Sequence, residues 1–414
     1  MLHFLTRKQR KEQVASLSLY VDPASSTMTG TNTSTATNKL IDSGADFSTL
    51  KPRQLVVNTT DHTASIIDYV ESSTTLVLRD DIFQSTSKGY SIDNNEGTES
   101  DKFKYPQSAM ECIPSTVDFN VNVFLADGTY SEVGNSNVLL SRSTTFMKIM
   151  LYINKRVTAN GRIVIIGNTT TPANVHFDGT TLSANFGILV QRSKGVTVRG
   201  LKVTNCVTGI SIEEGATLTF NFIITNDNDY GISLYSGSYG LCWKITSGAS
   251  GAGNMYYGVY CMDSIFYIAD ENSGSESSSL RYNGTNNVHS VHSNVKIYGN
   301  ATLKVNLSNS NYNVNVGGNS YGIIQYCTID NATVNGIVAT NNSYCGIQNS
   351  NVSNNSSWGI TSAGNSHVYS GTNTGSGNGY GIVATYGSII QKSGTQPSGT
   401  SGNELTGSGG AIYA

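Results

Sequence analysis

An all-β fold dominated by a parallel solenoid is predicted by three features: a segment that recurs, a period of 22 residues, and an apolar alternation that keeps its phase between copies. GISIEEGA (Gly209 to Ala216) returns as GISLYSGS (Gly231 to Ser238), and the same slot holds GILVQRSKG from Gly187 and GVYCMDS from Gly258. Counting from each glycine, the first and third residues onward are Ile188 and Val190, Ile210 and Ile212, Ile232 and Leu234, Val259 and Cys261. All are apolar. In-phase alternation places equivalent residues on adjacent coils one strand spacing apart, facing inward. The fourth and fifth positions, Gln191 and Arg192, Glu213 and Glu214, Tyr235 and Ser236, Met262 and Asp263, vary as a surface or turn would.

Composition narrows the function classes. Charged residues are 13% of the 414 and the formal charge is -3, so nothing points to a nucleic-acid partner. No stretch is long and apolar enough to span a bilayer. Gly, Asn, Ser and Thr are abundant, as on a turn-rich, extracellular-style surface. The six cysteines (Cys112, Cys206, Cys242, Cys261, Cys327, Cys345) show no C-x-x-C pair or metal-ligand spacing, and most of them are read as buried free thiols.

In MLHFLTRKQRKEQ the basic run Arg7, Lys8, Arg10, Lys11 follows a very short apolar piece, the reverse of a secretory signal, so cytoplasmic synthesis and assembly are expected. Residues 1–36 are read as an arm and linker, with Met28 to Ala36 the Ser/Thr/Gly linker. Residues 37–96 carry short alternating strands between turn clusters (NKLIDSGADF, QLVVNTTDHTASIIDYV, TTLVLRDDIF, KGYSI) and predict a small barrel-like β module. Residues 97–112 are read as a polar hinge, which begins at Asn94, followed by a helical turn or two over Tyr105 to Cys112 that covers the apolar end of the solenoid. Residues 113–414 are assigned to the solenoid, starting at VDFNVNVFLADGTYSE and continuing through RIVIIGN, VHFDGT and KGVTVRGLKVTN. Glycine-serine insertions at Ser247 to Gly253 and Ser273 to Ser279 predict loops. The ladder resumes as GIVAT at Gly336, GITSA at Gly359 and GIVAT at Gly381. About 13 coils, roughly 60 Å long, are expected at one strand spacing per coil.

The strand order of the small module, its NTTD turn (Asn58 to Asp61) and its DDIF element (Asp80 to Phe83) resemble a β module of tailed-bacteriophage virion proteins, where it precedes fibre or spike regions. From Val117 to Ser238 the order of segments is similar to that of the pectin-lyase-like right-handed β-helix superfamily, which includes polysaccharide lyases, glycoside hydrolases and phage tailspikes. The resemblances imply a right-handed parallel β-helix behind a small β module, in a spike or fibre at the virion surface. They further imply a homotrimer that contacts other virion proteins through the N-terminal region and host-surface polysaccharide through the β-helix. Two alternatives stay open: a tailspike depolymerase that cuts capsule or O-antigen, and a purely structural decoration of the head or tail.

Candidate chemistry is sparse. Glycoside hydrolysis needs two carboxyl groups roughly 5 to 9.5 Å apart, and the middle coils offer Glu213, Asp227 and Asp229. Register also makes Arg192 and Glu214 stacked partners in a surface ion pair. The six histidines are scattered, with only His289 and His292 close, so no metal or other cofactor is expected. Beyond Ile297 the only Lys, Arg, Asp or Glu are Lys304, Asp330, Lys392 and Glu404, a poor supply for acid-base work. Aromatics are plentiful instead. Phe186, Tyr230, Tyr257, Tyr321, Trp358 and Tyr380 precede repeat glycines and are read as a stack of the fold. Tyr235, Tyr260, Tyr344 and Tyr386 lie off the inward slots and are the glycan-binding candidates.

Overall fold

The structure, a computed structural model, describes residues 16–132, 135–139, 146–269, 278–299 and 305–414. The basic run at Arg7 to Lys11, most of the Ser273 to Ser279 insertion and Lys304 lie outside them. Two bodies follow one another: a six-stranded antiparallel half-barrel sheet, and a parallel β-solenoid of about 10 turns.

One coil shows how the sequence builds the rest. Thr208–Glu213 is a strand of the first side, and Glu214 turns the chain at φ 54°. Thr217–Asn226 supplies the other two sides, bent at Phe222 (φ 53°), and Asp227 (φ 53°) turns the chain back. Each coil therefore needs left-handed corners, which Asn tolerates better than most residues. The later coils place Asn331, Asn341, Asn349, Asn354 and Asn365 at such positions. Arg192, Glu214, Ser236 and Asp263 do share one corner, at φ 49–56°, and Arg192 Nε lies 2.5 Å from Glu214 Oε2.

The inward alternation is as expected. Ile188, Ile210, Ile232 and Val259 stack on successive parallel strands, as do Val190, Ile212, Leu234 and Cys261, all without solvent exposure. Farther on, Ile337, Ile360 and Ile382 continue the column with Ala339, Ser362 and Ala384 beside them. The repeat glycine has its own cause: a Cβ at Gly231 would meet Gly258 O at 2.6 Å and Thr225 Oγ1 at 2.7 Å, so only glycine fits this coil-to-coil approach. All six cysteines are free, and Cys206, Cys242, Cys261, Cys327 and Cys345 are buried.

The abundance of Asn and Ser has a different explanation from the expected one. Much of it is interior. Asn228, Asn254, Asn283, Asn287 and Asn313 form a buried ladder in which each side-chain amide donates to the next amide oxygen, at 3.2, 2.8, 2.8 and 2.9 Å. Ser238, Ser264, Ser293, Ser320, Ser343, Ser366 and Ser388 line another corner, each backbone N–H donating to the next hydroxyl at 3.1–3.2 Å. Corners expose peptide groups to the interior that no strand satisfies, and buried polar groups need partners. These side chains supply them.

Four further expectations are corrected. Ser16–Val21, read as arm, is a strand of the first coil, paired in parallel with Asn120–Leu125 and burying Leu19 and Val21 in the solenoid core; its period-2 pattern was too short to stand out. Met28–Thr31, read as linker, pairs antiparallel with Gly89–Ile92, and Gly30 lies under the Tyr90 ring. The polar stretch read as a hinge is tied down: the buried Asp93 carboxylate accepts from Lys104 N (2.9 Å), Tyr105 N (3.1 Å) and Ser108 Oγ (2.7 Å). The coil number is about 10 rather than about 13 because several coils exceed 22 residues, with Leu151 to Ile188 spanning 37, Ile232 to Val259 spanning 27 and Val259 to Val288 spanning 29.

The half-barrel and the solenoid share packing. Leu55–Asn58 is buried on both faces, with Val56 in the half-barrel core beside Leu40, Phe47 and Ile67, and Leu55 and Val57 in the solenoid core. The NTTD turn closes on Asn58 Oδ1, which accepts from the N–H groups of Thr60 and Asp61 at 3.0 Å each. Helix Pro106–Cys112 places Ala109 and Met110 in the solenoid core with Val117 and Val121, as a cover for its first coils.

Candidate functional site

The first side of the solenoid is a sheet of twelve strands, parallel except for the pair Asn135–Leu139 and Phe146–Ile153. Because the repeat glycine and the residue after it both face inward, the residue before the glycine and the second residue after it both face out. In the middle coils those outward residues are Tyr230 and Tyr257 in one column, and Ser211, Ser233, Tyr260 and His289 in the next. Tyr235 follows Leu234 at the strand end.

These side chains form one platform. Ring centroids lie 5.5 Å apart for Tyr230 and Tyr257, 5.2 Å for Tyr257 and Tyr260, 5.7 Å for Tyr235 and Tyr260, and 5.9 Å for Tyr230 and Tyr256. His289 stacks on Tyr257 and Tyr260 at 5.2 and 5.5 Å, its Nδ1 2.9 Å from Asn286 Nδ2, an arrangement in which the amide donates and the ring proton sits on Nε2. Burial lowers the His289 pKa below its ordinary value and raises those of Tyr257 and Tyr260. Tyr257, Tyr260 and His289 therefore present neutral rings at neutral pH. Its outer margin is open: Tyr256 is 43% and Met255 60% exposed.

The sequence candidates fall in different places. Tyr235 and Tyr260 belong to the platform. Tyr344 lies on another side of the solenoid, stacked on Tyr321 at 5.1 Å. Tyr321 is thus no member of the expected stack; Tyr312 takes its slot opposite Asn335. Tyr386 stands at a corner, 66% exposed. Tyr256 and His289 were missed by the sequence reading, although the Y-Y-x-x-Y string from Tyr256 to Tyr260 around a repeat glycine was the signal available.

Glu213 is not brought together with Asp227 and Asp229. Glu213 ends its strand, buried, with Ser211 Oγ donating to Oε1 at 2.8 Å. Asp227 and Asp229 sit at the opposite corner, Asp229 one residue before Tyr230, which pairs with Thr208. Six residues of strand separate that position from Glu213, roughly 20 Å at 3.3 Å per residue, well beyond the spacing of a glycosidase pair. The pairing of Glu213 with Asp227 or Asp229 is therefore ruled out by strand geometry. Glu214 is engaged by Arg192 and by Gln191 Nε2 at 2.9 Å. Among the described residues no group of three or more His, Cys, Asp or Glu is arranged to hold a metal ion, and no helix is long and apolar enough to cross a membrane.

No protein-family model matches the sequence, and no curated protein matches it. Among solved structures, the chain is similar to the enzymatically active domain of bacteriophage CBA120 tailspike protein 2, at 11% identity and a TM-score of 0.44, over 85% of this chain and 50% of that one. It is also similar to a double mutant of the periplasmic alginate epimerase AlgG, at 11% identity and a TM-score of 0.41, over 69% of this chain and 66% of that one. An alginate lyase from Paenibacillus sp. is matched at 14% identity and a TM-score of 0.32, over 75% of this chain and 96% of that one. The chain thus spans less than two thirds of the tailspike domain and of the epimerase. Likeness this distant carries no statement about activity.

Proposed function

We propose that this chain is a bacteriophage spike or fibre protein, displayed at the virion surface, whose tyrosine platform binds a host-surface glycan without cutting it. The observation that carries the reading is the platform itself: Tyr230, Tyr235, Tyr256, Tyr257 and Tyr260 in mutual ring contact with His289 on an outward-facing sheet. Stacked rings with polar tips offer apolar area to the faces of sugar rings and hydroxyls to their edges, at low entropic cost. The distance between Glu213 and the Asp227–Asp229 corner supports binding over hydrolysis. The virion assignment rests on the resemblance of residues 38–92 to phage modules, and in this reading the N-terminal region contacts other virion proteins.

The same reading includes a homotrimer assembled in the host cytoplasm. On a second side of the solenoid, Tyr239, Ile265, Tyr321, Tyr344 and Ile389 stand in one outward column. Ile265, Tyr321 and Ile389 are 38–42% exposed, so this row suits contact between copies. Light scattering should return three times the 44.1 kDa chain mass, and a monomer mass would overturn the trimer.

The platform is tested with polysaccharide extracted from strains to which the virus adsorbs. Truncating a central aromatic anchor typically costs more than about 1 kcal/mol, so Tyr257→Ala with Tyr260→Ala should weaken binding by at least about tenfold. Undiminished binding by that double variant, or release of reducing ends by the unmodified protein, would refute the proposal.

A further inference from the structure

We infer that the glycan is uncharged and that it runs from the tyrosine platform over Met255 into an adjoining recess that holds a further sugar residue. The inference rests on the platform reading above. The recess, 380 Å³ in volume, is lined by Met255, Tyr282, Asn309, Asn311 and Thr333 together with glycine backbone. Met255 adjoins Tyr256, whose ring touches Tyr230, so the two sites are continuous. Tyr282 is 38% exposed and offers a ring face. Thr333 Oγ1 donates to Asn311 Oδ1 at 2.8 Å, which leaves the Asn311 amide protons directed elsewhere. Amides, one hydroxyl and one aromatic face are the groups that pair with sugar hydroxyls and ring carbons.

Charge decides the ligand class. No Asp, Glu, His, Lys or Arg is among the residues that line the recess. Around the platform the acids predominate: Asp229 lies beside Tyr230, Glu213 is one coil below Tyr235, and Asp263 is near enough to help raise the Tyr260 pKa. Among the described residues the cationic or potentially cationic groups nearby are neutral or engaged with acids: burial lowers the His289 pKa, and Arg192 pairs with Glu214. His292 Nδ1 is 3.5 Å from Asp263, and Arg281, 6.0 Å from the Tyr282 ring centroid, also acts on the Asp330 carboxyl. A uronate or sialate would want a forked guanidinium, and over tyrosine faces it would meet negative ring potential as well as these carboxylates.

The test uses a panel of purified bacterial surface polysaccharides, half neutral and half carrying uronate or sialate, with far-UV circular dichroism confirming each variant's fold. Binding should concentrate on neutral members. Tyr282→Ala with Asn311→Ala should weaken it about tenfold, and Asp229→Asn with Asp263→Asn should raise binding to acidic members. Binding confined to acidic members but lost in Tyr257→Ala with Tyr260→Ala would overturn the ligand class and leave the platform standing. Neutral binding indifferent to Tyr282 and Asn311 would overturn the recess. Absence of any binding that depends on Tyr257 and Tyr260 would overturn the platform reading too.

Discussion

Replacing Asn254 with alanine should destabilise the solenoid by about 2–4 kcal/mol, more than an average polar substitution. Asn254 is 1% exposed, and its amide nitrogen donates to Thr225 O (3.1 Å), Ser247 Oγ (2.9 Å) and Asn283 Oδ1 (2.8 Å). Its oxygen accepts from both the backbone N–H and the side-chain amide of Asn228, each at 3.2 Å. Alanine removes all five contacts at once. The Asn228 amide keeps Val203 O and Asn226 O as acceptors, so its loss is partial. Thr225 O keeps the Gly248 N–H at 3.0 Å, but no other acceptor is in place for the Asn228 backbone N–H, and a buried orphan costs about 1–3 kcal/mol. One orphan plus about 1 kcal/mol for the void and the lost amide bonds gives the stated range. The assay is equilibrium urea unfolding followed by far-UV circular dichroism. Because a solenoid is coupled mainly coil to coil, the variant should also broaden the transition or split it at this ladder. A loss below about 1 kcal/mol with an unchanged transition would refute the claim that the asparagine ladder joins the coils.

Three further outcomes are expected. Gly231→Ala, whose Cβ would sit 2.6 Å from Gly258 O, should cost about 1–3 kcal/mol by overpacking in the same unfolding assay. Arg192→Ala, by contrast, should cost under about 1 kcal/mol, because the arginine side chain of this ion pair is 66% exposed. Burial holds the His289 pKa below its ordinary 6.5, so the unfolded chain takes up the proton first. Its contribution is then fully present above about pH 6.5 and lost as pH falls toward the folded pKa. The melting temperature of the unmodified protein should fall more between pH 7 and pH 5 than that of His289→Gln.

How far the sequence could be read depended on where each signal is written. Ile210 and Ile232 declared the solenoid because inward columns repeat along the chain at constant phase, and that periodicity survives any change of surface. The asparagine and serine ladders use the same residue types as exposed turns, so composition alone could not separate interior from exterior. Ser16–Val21 was too short to be distinguished from an arm, and its partner strand lies more than 100 residues away. The pairing of Glu213 with Asp227 failed for a geometric reason: a separation of 14 positions in sequence does not say which ends of a strand they occupy. Tyr235 and Tyr260 were legible as outward residues. Their union with Tyr256 and His289 was not, since it depends on a 27-residue coil followed by one of 29 that brings those rings onto neighbouring strands.

In the proposed reading the outward face of the middle coils, and not the Tyr321–Tyr344 row on another side, meets the glycan. A structure of the protein with a bound oligosaccharide from the host polysaccharide tests this most directly. Sugar rings should stack over Tyr257 and Tyr260, with the glycan continuing past Met255 toward Tyr282. Sugar density over Tyr321 and Tyr344, with the tyrosine platform unoccupied, would contradict it.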